Sequence, residues 1–354
     1  MTTPDGALPG VLRASGRPLT EVYDTALLDL DGVVYLQEEP VPRAAEALAA
    51  ARAAGMRLEF VTNNASRRPD GVVALLEKVG VTARPTEVVT SAQASAALLA
   101  ERLPAGSPVL VVGSDALGEE LVEVGLRAVR SADDEPRAVV QGYSPEVGWP
   151  QLAEASLALR AGAFWVATNN DATFPSPRGP LPGNGAMVAA LVTATRRVPD
   201  EIVGKPHPRL HQESVRRSGA VTPLVVGDRL DTDIEGAIVG GCDSLLVLTG
   251  VTTPAVLLAA PAGARPAYVS FDLHGLLEAH PGPELLPGNA VRCGGWTATA
   301  SDRVVRLTGE GATIDALRTL CAATWRAGGG AVPALAAGGE PALRALAELD
   351  LPAS

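Results

Sequence analysis

Short apolar runs at residues 25–29, 57–62, 108–113, 137–141, 163–168, 223–227 and 244–248 punctuate this chain. Alanine- and leucine-rich stretches at 43–54, 69–79, 92–103, 150–161 and 206–218 separate them. Apolar runs of this length without polar alternation are the pattern of strands covered on both faces, whereas the longer stretches have the length of helices. Alternation of the two kinds specifies βαβ units and largely parallel sheets, so the chain is expected in the α/β class. Right-handed crossovers bring the ends of the strands at 25–28, 57–61 and 223–227 to one edge. The 354 residues exceed what a single hydrophobic core usually serves, so more than one domain is expected, and 47% hydrophobic against 19% charged residues supplies the apolar material.

The segment from about 90 to 200 reads as a second α/β unit inserted into the first, starting after Pro85-Thr86-Glu87 and carrying strands of its own. It holds a long loop from Asn169 to Asn184, rich in turn residues that include Pro175, Pro177, Gly179, Pro180, Pro182 and Gly183. A loop of that length in an ordered setting is expected to be functional and to face the substrate. Gly183-Asn184-Gly185 reads as the turn into a helix over 184–195. Pro261-Ala262-Gly263-Ala264-Arg265-Pro266 reads as a linker. Beyond it, residues 296–307 have a hairpin pattern, and Ile314, Leu317, Cys321 and Trp325 mark the packing face of a helix over 313–326. This tail reads as a small third module without a catalytic constellation.

Four motifs at predicted strand ends or helix starts carry the chemistry. In Asp29-Leu30-Asp31-Gly32 an apolar run stops at two carboxylates one residue apart. Such a pair repels itself in a poorly solvated site unless a cation or proton is shared. Acidic residues at the carboxyl end of a parallel strand also lie where open α/β sheets bind ligands. Phe60-Val61-Thr62-Asn63-Asn64 runs from an apolar strand into a hydroxyl and two amides, which suit phosphate oxygens together with the N–H groups of a turn. Gly204-Lys205-Pro206-His207-Pro208 sets a lysine ahead of a helix start, as a point charge for phosphate. Val225-Val226-Gly227-Asp228-Arg229-Leu230-Asp231-Thr232-Asp233 ends another strand in a glycine turn with carboxylates. Singly, each has an ordinary structural explanation, since an aspartate after a strand commonly caps a helix and Thr-Asn-Asn is a common turn. All four in this order form a specific signal.

On these residues the chain resembles the haloacid-dehalogenase-type phosphatase superfamily over about residues 20–260. The subclass is the one with an α/β cap inserted between the second and third motifs, which includes p-nitrophenyl phosphatase-like, pyridoxal-phosphate and glycerol-phosphate phosphatases. The resemblance implies a Rossmann-like doubly wound parallel-sheet core at 15–90 and 200–262 and an inserted α/β cap domain at 91–199. It adds a small α+β C-terminal module at 270–354, faintly similar to an acetyltransferase fragment, from which no acetyl transfer is expected. The resemblance makes Asp29 the nucleophile and Asp31 the general acid/base, with Thr62, Asn63, Asn64 and Lys205 as phosphate contacts. It implies Mg2+ held by Asp29, Asp228 and the backbone carbonyl of Asp31, with Asp233 as a supporting carboxylate.

The implied activity is Mg2+-dependent hydrolysis of a small phosphorylated metabolite through an aspartyl-phosphate. Glycerol 3-phosphate stands first because of the added C-terminal module; pyridoxal phosphate, sugar phosphates and nucleotides are the alternatives. A phosphotransferase or mutase would use the same intermediate. A non-catalytic protein on this scaffold would be expected to lack Asp29, Asp31, Lys205 or Asp228, and all are present. Asn169, Asn170, Asp171, Thr173 and Phe174 of the long loop are expected to overhang the phosphate pocket. Homo-oligomerisation through the cap is compatible with the resemblance.

A formal net charge of −11 and only 3% aromatic residues argue against nucleic acid as a partner. Cys242, Cys293 and Cys321 form no CxxC pair, so they read as small buried hydrophobes in a reducing compartment. Residues 1–6 lack a basic-then-apolar leader and no run of eighteen apolar residues occurs, so a protein without a membrane span, in the cytoplasm, is expected. His207 and His211 stand at i and i+4 without a third ligand and are expected on a helix surface.

Overall fold

The structure, a computed structural model, describes residues 12–353 except residues 38, 175, 177, 302, 303, 329 and 332. The readings made on residues 1–6, Pro175 and Pro177 therefore lie outside the described residues. The chain divides into two compact units, Met1–Leu58 with Ala220–Ser354, and Glu59–Gly219.

In the first unit, parallel strands lie in the order Tyr268–Ser270, Asp243–Val247, Pro223–Gly227, Thr25–Leu28. Every residue of these four strands is buried, as expected where both faces of a parallel sheet are covered. The register sets Leu28 beside Val226, so Asp29 and Asp228 leave neighbouring strands at nearly the same level. The 261–266 segment is not an inter-module linker. It forms a short turn at Ala262–Ala264 and then enters Tyr268–Ser270, one more strand of the same sheet. Three residues are too few for a sequence pattern, and it is pairing to the neighbouring strand that makes them a strand.

A second sheet in this unit has the order Glu284–Leu286, Ala290–Cys293, Trp296–Ser301, Val304–Gly309, Ala334–Ala337, antiparallel until its last, parallel pair. Here burial alternates: Val305 and Leu307 are buried while Arg306 is exposed, the signature of a sheet with one wet face. The helix Thr313–Arg326 buries Leu317, Cys321 and Trp325 as its spacing predicts. One apolar cluster joins Trp296, Leu317, Leu320 and Trp325 to Leu230, Ile234, Leu257 and Leu258. The C-terminal module therefore shares its core with the helical turn that follows Asp228. Buried Arg318 strengthens the join, donating to the Val269 carbonyl at 2.6 Å and to Nδ1 of His280 at 2.9 Å. Burial pushes the His280 imidazole down to about 4, so it is neutral, and its Nε2–H faces the Gly275 carbonyl at 2.7 Å.

The second unit holds most of the strand Arg57–Thr62, paired in parallel with Val88–Thr90. Its own parallel sheet has the order Glu201–Ile202, Phe164–Ala167, Ala138–Gln141, Pro108–Val112, Arg127–Val129. Trp165, Leu110, Leu159, Val188 and Leu191 fill its core. The long loop contains a short hairpin, Thr173–Phe174 with Leu181–Pro182, and the helix Asn184–Thr195 follows it as predicted. The helix Pro208–Ser218 opens on proline and closes at Gly219 in a left-handed conformation, φ 63°. The expected surface placement of the two histidines holds for His207, which precedes the helix, but not for His211, which is buried with Leu210, Glu213 and Ser214. All three cysteines are free and buried. Among the described residues, no helix is long and apolar enough to cross a membrane.

Candidate active site

The first unit supplies carboxylates. The strand Thr25–Leu28 stops because the Leu30 carbonyl accepts the N–H groups of Val34 and Tyr35, at 2.9 and 3.2 Å, in a tight turn around Gly32. Gly32 has φ 85°, a left-handed backbone that suits glycine. A side chain there would also collide with the Asp228 carboxylate, as would one at Gly250, while one at Gly227 would collide with Asp233. Asp228 has no exposed surface, and its Oδ2 accepts the Val251 N–H at 2.7 Å. Asp233 is equally buried and its Oδ2 accepts the Arg229 N–H at 3.1 Å.

These fixings bring oxygens of Asp29, Asp228 and Asp233 within 4.8 Å of one another. Three carboxylates so close, two of them buried, need a cation or shared protons. An all-oxygen, anionic donor set fits Mg2+ or Ca2+ rather than a softer metal. Gly32 and Gly250 keep their own positions from crowding the Asp228 carboxylate. The Asp31 carboxylate is exposed and outside this trio. Asp231 is exposed too, gripped by the Arg229 guanidinium at 2.8 and 3.0 Å, which holds its carboxyl below the usual carboxylate range.

The second unit supplies amides and a lysine. The strand Arg57–Thr62 is buried from Leu58 to Thr62, and the Thr62 hydroxyl accepts the Asn64 N–H at 3.1 Å. Lys205 is buried, with Nζ 3.4 Å from the Val61 carbonyl. Asn63 does not present its amide outward. Its Oδ1 accepts the Lys205 N–H at 2.8 Å, and its Nδ2 donates to the Lys205 carbonyl and to the Asp171 carboxylate, both at 3.1 Å. Asn64 uses Oδ1 to hold the N–H and hydroxyl of Ser66, at 2.8 and 2.7 Å.

In the long loop, Asn169 donates to the Asn63 carbonyl at 2.8 Å, and Phe174 stands edge-on to Tyr143 with ring centroids 4.9 Å apart. Asn170 and Thr173 are exposed. Sequence reasoning passed over Asn184, which donates to the carbonyls of Asn169 and Gln141, at 2.7 and 3.2 Å. Its signal lay in the flanking glycines: a side chain at Gly183 or Gly185 would strike the backbone carbonyl of Asp171 or Asn170.

Parallel strands ending in a trio of carboxylates, interrupted by a second α/β unit, are the architecture of a phosphatase-type hydrolase, and the family models agree. Residues 26–127 match haloacid dehalogenase-like hydrolases, 202–276 the HAD-hydrolase-like model, and 293–351 a GCN5-related N-acetyltransferase like domain. The chain belongs to the haloacid dehalogenase-like hydrolase family and is one of its phosphatases. It is 46% identical over 318 residues to a D-glycerol 3-phosphate phosphatase of Mycobacterium tuberculosis, covering 88% of each chain. It is 36% identical over 233 residues to an acid sugar phosphatase of Staphylococcus aureus, spanning 65% of this chain and 88% of that one. Among solved structures it is similar to a glycerol phosphate phosphatase of M. tuberculosis in complex with magnesium, with TM-score 0.85, 43% identity and coverage of 95% and 99%. It is also similar to a p-nitrophenyl phosphatase from Archaeoglobus fulgidus, with TM-score 0.68, 31% identity and coverage of 72% and 98%.

Proposed function

We propose that the chain hydrolyses the phosphomonoester of a small polyol, glycerol 3-phosphate first, with Mg2+ held by the carboxylates of Asp29 and Asp228 and the backbone carbonyl of Asp31, and Asp233 in support. The observation that carries this reading is the convergence of Asp29, Asp228 and Asp233. The likeness to relatives named for glycerol phosphate, one of them crystallised with magnesium, supports the substrate and the metal. When bound, the cation offsets repulsion between an anionic nucleophile and an anionic ester.

In this reading an Asp29 carboxylate oxygen attacks phosphorus and the ester P–O bond breaks, giving an aspartyl-phosphate. Asp31 gives its proton to the leaving alkoxide. Water then attacks phosphorus, Asp31 takes up its proton, and the bond from phosphorus to Asp29 breaks to release phosphate. Asp31 suits proton traffic because its side chain is exposed and stands outside the carboxylate trio. Lys205, the Thr62 hydroxyl and the turn N–H of Asn63 take the phosphate oxygens, while the Asn64 N–H is spent on Thr62 Oγ1. Asn169 and Asp171 are engaged with Asn63, so we assign Asn170 to the polyol hydroxyls.

As the functional division we propose the catalytic core at 15–90 and 200–262, extended to take in the sheet strand Tyr268–Ser270, with the cap at 91–199 and the C-terminal module after that strand. Three buried free thiols favour a reducing, cytoplasmic setting. The test is a phosphate-release screen over polyol, sugar, nucleotide and pyridoxal phosphates with Mg2+ or EDTA. Metal-dependent release, greatest with glycerol 3-phosphate, is expected. No release from any ester overturns the reading, and release only with an added alcohol acceptor shows a transferase instead.

A further inference from the structure

Three asparagine side chains in the second unit form a directed chain of hydrogen bonds that ends on Lys205. Asn184, the first residue of the helix Asn184–Thr195, donates to the Asn169 carbonyl at 2.7 Å. Asn169 donates to the Asn63 carbonyl at 2.8 Å and accepts the Asp171 N–H at 3.2 Å. Asn63 closes both sides of the Lys205 backbone, accepting its N–H at 2.8 Å and donating to its carbonyl at 3.1 Å. Each amide thus satisfies the main chain of the next member, and none of these bonds is spent on a ligand.

Packing shows that the chain is built rather than incidental. A side chain at Gly204 would come within 2.7 Å of both Asn63 Oδ1 and the Thr168 carbonyl, so only glycine lets the lysine segment reach Asn63. Gly183 and Gly185 do the same for the helix start against the loop, where the Gly185 N–H also bonds the Asp171 carbonyl at 2.9 Å. Asn184 and Asn169 are 1% and 5% exposed, so water cannot substitute for a lost amide at either position. Nδ2 makes both hydrogen bonds of the Asn184 side chain that the structure gives, to Asn169 and to the Gln141 carbonyl at 3.2 Å.

We infer that Asn184, Asn169 and Asn63 are positioning residues that set the Lys205 ammonium for phosphate, and that a helix of the inserted segment thereby controls phosphate affinity. Asn63 acts by its side chain on the lysine backbone and not as a side-chain phosphate ligand. The inference rests on the reading of Lys205 as a phosphate contact.

The experiment measures inhibition by inorganic phosphate, with KM and kcat, on the full chain in Mg2+. The variants are Asn184→Leu, Asn169→Ala, Lys205→Met, and the double variant of Asn184→Leu with Lys205→Met. Each asparagine variant is expected to raise the inhibition constant and KM about ten-fold, the scale of one or two buried amide bonds. Its half-saturating Mg2+ concentration should stay within two-fold of the parent's. In the double variant, the asparagine change should add less than two-fold to the effect of Lys205→Met, because the amide acts through the lysine. Full additivity, or a parallel loss of Mg2+ response, overturns the relay and leaves a general structural role. If Lys205→Met leaves phosphate inhibition unchanged, the phosphate role of the lysine fails, and the relay with it. Should Asn184→Leu not fold, Asn169→Ala tests the same chain at its middle link.

Discussion

The two units hold their candidate site residues in opposite ways. In the first unit the reactive groups are side chains and the backbone restrains them: Val251 N–H holds Asp228, Arg229 N–H holds Asp233, and Gly32, Gly227 and Gly250 clear the space around them. In the second unit much of the restraint comes from side chains, and what they restrain is backbone, with Asn184, Asn169 and Asn63 gripping main-chain groups on the way to Lys205. The difference follows from charge. Carboxylates repel one another and must be fixed individually by donors. A lysine on a long flexible stem is fixed best by fixing the segment that carries it.

The comparison breaks most readily at Asp29. Asp29→Asn is expected to lower kcat by about four orders of magnitude, as for other covalent nucleophiles, while substrate still binds. Single-turnover kinetics with an isotope-labelled ester check this, and substantial residual turnover means the attacking group lies elsewhere.

Next in size is Trp325→Ala. The indole is buried in the cluster that includes Leu230 and Ile234, and its Nε1–H donates to the Leu257 carbonyl at 3.2 Å. Urea unfolding is expected to show a loss of about 3–5 kcal/mol. If the C-terminal module supports the carboxylate half in particular, Mg2+ affinity falls well before phosphate affinity as urea is raised.

The same module predicts acid sensitivity. The His280 imidazole titrates near 6.5 when unfolded and at about 4 when folded, because burial opposes its charge. The unfolded chain therefore binds the proton first. Stability is full above pH 6.5 and falls as pH drops from there to about 4, by up to about 3 kcal/mol. Melting temperature against pH should show this slope, and His280→Gln should flatten it.

The smallest effect expected is that of Asp233→Asn. It keeps the shape of the group but removes a charge beside Asp29 and Asp228, so Mg2+ affinity by calorimetry should fall about 10–100-fold. Phosphate inhibition should barely move, which would sharpen the division between the halves.

Legibility in the sequence followed the same division. The positions of Asp29, Asp228 and Asp233 were legible because each stands within a few residues of the end of an apolar strand, a local fact, whereas their roles came from the family resemblance. Thr62-Asn63-Asn64 was legible as a turn with polar groups, but the work of each was not. Asn63 lies 142 positions from the lysine it holds, and no local pattern encodes such a bond. Asn184 looked like an ordinary helix start for the same reason. The strand Tyr268–Ser270 was hidden in what reads as a linker, and His211 was placed on the wrong side of its helix. For the strand, the deciding partner is Asp243–Val247, which no pattern local to 268–270 encodes.

The order of amino acids alone determined the α/β class, the strand ends that carry the carboxylates and the residue types available for phosphate chemistry. Periodicity and strand termination are short-range properties, so they survive in one dimension. Tertiary structure alone decided which carboxylates converge, that the C-terminal module shares a core with the turn after Asp228, and that the asparagines serve backbone rather than ligand. Those outcomes depend on which distant donors and acceptors meet once water is excluded, and the need to satisfy every buried polar group selects among them.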